Sequence, residues 1–322
     1  MRLLGDLSAR ELRGMRCLVR INLDIKKPSP ESLRIKAIIP TLELLIKKGA
    51  TPIILSHRGR PEGEDKALSL APAVDILSDI LGTKLEWLEN LRFDPREEAG
   101  DEAYARELAK KGDIYINDDF ATCHRAHASI AILPRFLPHC AGMALASEIE
   151  NLDRARNDPA LPMAVIIGGT KIEDKLMAID GLKGPGVRFL LGSAYCMPRE
   201  TLPHDADITM PSDYEGEGGK KLDIGPKTAK AYAGAIAQAK TVVWSGPVGM
   251  AENEKYKAGS RNIAQAIGKS EAFSIAGGGD TADFLEREGL AGKLSFVSTG
   301  GSATLAYLAG VTLPGIAALE TE

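Results

Sequence analysis

The chain has 322 residues, of which 44% are hydrophobic, enough to bury a sizeable core and long enough for about two domains. Its formal net charge of −4 gives no general pull toward nucleic acid or an acidic membrane surface, so any anion site must be a local cluster. Cys17, Cys123, Cys140 and Cys196 form no CxxC or Cys/His metal spacing, and no signal-like or membrane-length apolar run occurs, so reduced thiols in a soluble, cytoplasmic protein are expected.

CLVRI (17–21) reads as a buried strand, and LRIKAIIPTLELLIKKG (33–49) has a helical period, with Pro40 expected to kink it or mark a start. TPIILS (51–56) is a second strand, APAVDILSDILG (71–82) an amphipathic helix closed by glycine, and DIYIND (113–118) a third strand. SEIENLDRARNDPALP (147–162) reads as a polar connector helix stopped at Asn157-Asp158-Pro159. The second half repeats the alternation: MAVIIGG before TKIEDKLMAIDGL, RFLLG before SAY, and AKTVVWSG before a helix near 255–268. FSIAGGG then precedes DTADFLEREGL, and SFVSTGG precedes SATLAYLAG. Strands separated by helices predict parallel sheets with helical crossovers. EGEGGKK (215–221) reads as an exposed loop.

In parallel α/β sheets ligands bind at the carboxyl ends of the strands. The first half places cations there: His57, Arg58 and Arg60 after one strand, and His124, Arg125 and His127 after another, with Arg34 and Arg92 nearby in the pattern. Guanidinium forks match phosphate and carboxylate, although any one such arginine is more often solvated surface. The second half places glycines: GGT (168–170), GSA (192–194), GGGDT (277–281) and GGS (300–302), each between a strand and an expected helix. Glycine admits close backbone approach and helix starts attract phosphate; the bland alternative is an ordinary tight turn. Lys171 and Lys175 share a helical face behind Gly168-Gly169, as phosphate ligands or as partners of Glu173 and Asp174. Asp280 is either a helix N-cap or a Mg²⁺ ligand beside bound phosphates. Neither a Walker motif nor GxGxxG is present.

These segments resemble the phosphoglycerate kinase family, in the family's order: SHRGRPEG (56–63), ENLRF (89–93), NDDFATCHRAHAS (117–129), GGTKIEDK (168–175), LDIGPKT (222–228), TVVWSGPVGM (241–250), GGGDTA (277–282) and VSTGG (297–301). The resemblance implies two Rossmann-like three-layer α/β domains with parallel sheets, joined by a helix and facing each other across a cleft that closes on its ligands. It places an acid-binding domain over 1–150, a nucleotide-binding domain over 151–302 with the connector at 147–160, and a tail over 303–322 that packs back on the first domain. The implied reaction is phosphoryl transfer between ATP and the carboxylate of 3-phosphoglycerate, with Mg²⁺, in a monomer that binds neither nucleic acid nor membrane. By resemblance Arg34 and Lys175 stabilise the passing charge, and Asn22, Asp24, Arg34, His57, Arg60 and Arg125 hold the acid. Gly169, Thr170, Lys171, Lys175, Gly192, Ser245, Pro247, Glu252, Gly278, Gly279, Asp280 and Thr281 face the nucleotide, with Glu252 on the ribose and Asp280 on the metal.

The chain departs from the family pattern locally. A strand and helix are missing between TKLEW (83–87) and ENLRF, and a helical excursion is missing between Tyr195 and Pro211. Lys221, Ser245 and Ala251 replace the usual Gly, Asn and Phe on the nucleoside side, and GSA replaces Gly-Gly-Gly. Asn22 and Asp24 invert the usual Asp and Asn, and Leu161 stands where an arginine normally helps hold the acid, a loss that Arg58, Arg154 or Arg156 could offset. The departures leave two alternatives open: an impaired nucleotide-binding relative with a scaffold role, and a kinase for a related acid.

Overall fold

Apolar runs too continuous for a half-exposed strand set up two parallel sheets, each covered on both faces. The computed structural model describes residues 1–169, 173–194 and 202–320. They divide into two units, Met1–Ile149 with the segment from Thr312 on, and Glu150–Val311.

The first unit runs α1 (Ala9–Leu12), β1 (Arg16–Arg20), α2 (Leu33–Lys47), β2 (Thr51–Leu55), α3 (Ala71–Leu81), β3 (Glu86–Trp87), α4 (Pro95–Glu98), α5 (Glu102–Ala109), β4 (Ile114–Asn117) and β5 (His139–Ala141). Its sheet has the order β3-β2-β1-β4-β5, parallel throughout, with Val19 of the central β1 opposite Ile54 and Ile116. α2 passes through Pro40 as one helix, and α3 ends where Gly82 adopts a left-handed φ of 62°.

α6 (Met143–Arg156) carries the chain from one unit into the next, beginning earlier than its polar sequence at 147 predicts. Its extra turn is stabilised from outside: Thr41 Oγ1 accepts from Met143 N at 2.8 Å, and Asp118 Oδ1 accepts from Leu145 N at 2.9 Å. These distant oxygens satisfy N–H groups at the helix start. Burial pushes the Asp118 carboxyl up to about 7. Folded protein therefore keeps a proton on Asp118 where the unfolded chain has lost it, and stability falls as pH rises from about 4 to about 7. Asp118→Asn should flatten that part of the melting-temperature profile. A calorimetric pH series with the wild-type slope intact would count against the assignment.

The second unit runs β6 (Met163–Ile167), α7 (Glu173–Leu182), β7 (Val187–Leu191), β8 (Asp207–Thr209), β9 (Tyr214–Glu215), β10 (Asp223–Ile224), α8 (Pro226–Gln238), β11 (Thr241–Ser245), α9 (Ala258–Lys269), β12 (Phe273–Gly277), α10 (Gly279–Arg287), β13 (Phe296–Val297) and α11 (Ser302–Leu308). Its main sheet has the order β13-β12-β11-β6-β7-β8, also parallel, while β9 and β10 pair antiparallel below the exposed tip at 216–221. α9 starts at Ala258, later than expected, and the helix expected after Gly192-Ser193-Ala194 falls outside the described residues.

α11 remains with the second unit: Ala303, Thr304, Leu305 and Leu308 are buried, and a Cβ on Gly181 of α7 would meet Ala309 backbone atoms at 2.5–2.8 Å. The tail that joins the first unit therefore begins at Thr312, not at 303. It contains α12 (Pro314–Ala317), whose Gly315 N donates to Cys123 O at 2.9 Å and has no room for a Cβ against Ile130 and Cys123. Cys17, Cys123 and Cys140 are free and buried, and burial raises all three thiols; Cys196 lies outside the described residues. No helix of the described residues is long and apolar enough to cross a membrane.

Candidate active site

Each main sheet has a point where consecutive strands stop adding on one side and continue on the other. These points are β1/β4 in the first unit and β6/β11 in the second, the places where open α/β sheets bind ligands.

At the first point Arg20 ends β1 and is fully buried. Its Nη1 donates to Asp119 Oδ2 and Ile21 O, both at 2.7 Å, its Nε to Ser129 Oγ at 3.0 Å, and its Nη2 lies 2.9 Å from His57 Nδ1. Asp119 is held in turn by the hydroxyl of Thr122, and Ser129 donates to the buried Glu97. Burial first, then the charges of Arg20 and Arg92, depresses His57 well below the usual histidine range. Burial, Arg92 and Arg20 bring His127 down to about 3. Both imidazoles are neutral at physiological pH.

The expected acid ligands lie around this network. Asn22 Oδ1 accepts from Asp24 N, Asp24 Oδ1 accepts from Gly59 N at 2.8 Å, and Asp24 Oδ2 is 3.9 Å from His57 Nε2. Arg34, in the first turn of α2, donates to the Asp24 carbonyl. Arg60 is exposed, and Arg125 is half-buried and close enough to lower His57 and His127. Other arginines of the set are structural. Arg58 donates to the carbonyls of Ile25, Lys26 and Ser69, and Arg92 donates to Gly59 O and pairs with Glu98. Arg154 stacks on Phe273 and Arg156 on Tyr307, so the three side chains that could offset the arginine missing at Leu161 are engaged elsewhere. Leu161 itself is exposed and lies over Gly186.

At the second point the turns after β6 and β11 interlock. Gly169 N donates to Pro247 O and Gly168 N to Ser245 O, and a Cβ on Gly168 or Gly246 would fall 2.0–2.2 Å from a carbonyl oxygen of the other turn. A cavity of about 400 Å³ opens beside them, within the range of small-molecule sites. Gly169, Pro247, Glu252 and Asp280 line it as expected, joined by Lys221 and Arg287. Lys175, only 5% exposed, brings Nζ to 2.9 Å from where a Gly169 Cβ would sit. Gly192 is wedged between Gly168 and Val248, and Ser245 is buried at the end of β11.

Gly278 is the N-cap of α10 at φ 106°, ψ 135°, a conformation other residues rarely adopt, with Gly279 as the first helical residue. This overturns the capping alternative for Asp280, whose exposed carboxylate lies inside the first turn and faces the cavity. Thr281 is buried and its Oγ1 accepts from Gly246 N at 2.9 Å. Thr170 and Lys171 lie outside the described residues.

Sequence reasoning missed Arg20, which reads as one more residue of an apolar strand; a lone arginine inside such a run was the available signal. It also missed Arg287, whose Nη2 donates to Ala251 O at 2.7 Å and so ties down the loop carrying Glu252. A larger groove of about 980 Å³ between α8 and α9 contains none of the candidate residues and opens near the amino ends of β11 and β12.

A family model described as phosphoglycerate kinase matches residues 7–88, 83–197 and 183–311. The chain belongs to the phosphoglycerate kinase family. Phosphoglycerate kinase of Herpetosiphon aurantiacus is 36% identical over 382 aligned positions, covering 96% of this chain and 97% of that protein. That of Moorella thermoacetica is 35% identical, with 97% and 98% covered. The structure is similar to phosphoglycerate kinase from Coxiella burnetii, with a TM-score of 0.81, 30% identity and 98% of each chain covered. It is also similar to that from Pyrococcus horikoshii, with a TM-score of 0.84, 25% identity, and 99% and 98% covered. Membership makes this protein a kinase with small-molecule substrates. The first two stretches of the family match meet near 83–88 and the last two near 183–197, beside the places where the sequence is shorter than the family pattern.

Proposed function

We propose that this protein catalyses reversible transfer of the γ-phosphoryl group between ATP and the carboxylate of 3-phosphoglycerate, giving ADP and 1,3-bisphosphoglycerate. The observation that carries this reading is the cavity at the β6/β11 switch point, where Gly169, Pro247, Glu252 and Asp280 meet beside the ammonium of Lys175. A carboxylate nucleophile is ionised at neutral pH and needs no general base, which agrees with an acid site whose two buried histidines are held neutral. The remaining work is alignment and charge neutralisation. Arg34 and Lys175 take the charge-stabilising roles, and Asn22, His57, Arg60 and Arg125 hold the acid, with Asp24 beside His57. The nucleotide is assigned to Gly169, Thr170, Lys171, Gly192, Ser245, Pro247, Gly278, Gly279 and Thr281, with Glu252 taking the ribose.

The residues present fit one Mg²⁺. Asp280 offers an exposed hard oxygen to the cavity, and among the described residues no cluster of three or more His, Cys, Asp or Glu competes for the ion. When bound, Mg²⁺ would neutralise charge on the phosphates beside Asp280.

Purified protein should convert Mg-ATP to ADP only when 3-phosphoglycerate is added, in a coupled assay. Absence of turnover above a Lys175→Met control would sink the proposal, and nucleotide binding without turnover would favour the scaffold reading. A kinase for a related acid would instead respond to a different member of a hydroxy-acid panel. Asp24 sharpens the acid side. Its carboxylate lies 3.9 Å from His57 Nε2, where an anionic ligand would seek the same donor. Replacing it by Asn removes a like charge worth about 1 kcal/mol near solvent, so Asp24→Asn should tighten acid binding by roughly fivefold. Weaker binding would show that Asp24 is itself a ligand for the acid's hydroxyl.

A further inference from the structure

We propose that Arg20 is a positioning residue that fixes the proton of His57 on Nε2, so that the imidazole presents one neutral N–H donor to the acid ligand. The inference rests on the reading of this site as the acid site, but its first part stands on hydrogen-bond geometry alone. Every N–H of a guanidinium is a donor and none can accept. With Arg20 Nη2 at 2.9 Å from His57 Nδ1, that nitrogen must be the acceptor, because a proton on it would set two N–H groups against each other. The ring proton then belongs to Nε2, which faces the partly exposed Asp24 side chain at 3.9 Å.

Arg20 cannot turn away from this task. It is fully buried, its Nε–H is committed to Ser129 and both Nη1–H groups to Asp119 and Ile21 O. Asp119 is fixed by Thr122, and Ser129 by Glu97 of α4, so the geometry that selects the tautomer is braced from three segments of the unit. Burial and the neighbouring basic groups oppose the doubly protonated ring, and one carboxylate faces it. Arg20 comes from β1, Arg92 from the turn before α4, and Arg125 and His127 from the segment after β4, while Asp24 is the carboxylate paired with the ring, at 3.9 Å. An imidazole held in this way gives an incoming oxyanion a hydrogen bond without adding a titrating charge.

The test uses the full chain labelled with ¹⁵N-histidine, the His57 signal being assigned by its loss in His57→Gln. In the absence of ligand the wild-type spectrum should show a bare Nδ1 and a protonated Nε2, unchanged between pH 6 and 8. A protonated Nδ1, a tautomer mixture or an imidazolium would overturn the proposal. Arg20→Lys keeps the charge, but one ammonium cannot serve Asp119, Ser129 and His57 in the same fork. It should release the tautomer into a mixture and weaken 3-phosphoglycerate binding by roughly tenfold, with Mg-ATP affinity unchanged. A folded Arg20→Lys protein with His57 still wholly Nε2-protonated would also overturn the proposal. If Arg20→Lys does not fold, the wild-type spectrum decides. A wild-type protein with the Nε2–H signature that binds no 3-phosphoglycerate would overturn the reading of the site and leave the tautomer standing.

Discussion

Lys175→Met should lower phosphoryl transfer by roughly 100- to 1,000-fold, the cost typical of removing one preorganised charge from a transition state. The side chain projects from the first turn of α7, is almost wholly buried, and places its ammonium beside Gly169, one of the residues lining the cavity. Methionine keeps the length and most of the volume of lysine, so the packing of the stem survives and stability should change by less than about 1.5 kcal/mol. Single-turnover rates with saturating nucleotide separate the two roles open to this lysine. A group acting on the passing phosphoryl lowers the chemical step, whereas a ground-state phosphate ligand raises the nucleotide Kd and leaves the step alone. A variant with a wild-type single-turnover rate would remove Lys175 from the reacting centre.

Asp280→Ala should abolish Mg²⁺-dependent transfer and leave the fold nearly untouched. Gly278, not Asp280, occupies the N-cap position of α10, and no side chain caps that helix. The stabilisation Asp280 gives is then limited to a negative charge within the first turn, about 0.3–1 kcal/mol at an exposed position. On the proposed function its value is a hard oxygen facing the cavity, and losing it should remove the response of the rate to added Mg²⁺. The informative comparison is between a Mg²⁺ titration of activity and a thermal melt. A large drop in melting temperature with residual Mg²⁺-dependent turnover would mean that Asp280 serves the helix more than the metal.

Much of this architecture was legible because its signals are local. A buried strand followed by a glycine turn and an amphipathic helix announces itself within about twenty residues, as at MAVIIGG and FSIAGGG. The cations and glycines at strand ends followed from the same local reading combined with one rule about parallel sheets. What escaped depends on contacts between residues far apart in the chain. Arg20 and Asp119 are 99 positions apart, and neither stretch of sequence hints that they share a proton-ordering network. Asp118 extends α6 from a different segment, so the helix begins four residues before its own sequence predicts. Arg58 looked like a spare site cation because nothing local shows that the carbonyls of Ile25, Lys26 and Ser69 would surround it. Nothing local shows that Thr281 accepts from Gly246, which lies on another strand end.

The tail from Thr312 has a consequence for how the protein is made. Leu313 and Leu319 are buried in the first unit, and Gly315 fits against Cys123 and Ile130 with no space for a side chain. On a ribosome, the strands of the first unit emerge early and could pair while the second unit is still being synthesised. Their surface around Cys123 and Ile130 stays uncovered until residues 312–320 leave the exit tunnel. The unit that starts to fold first is therefore the one that is finished last.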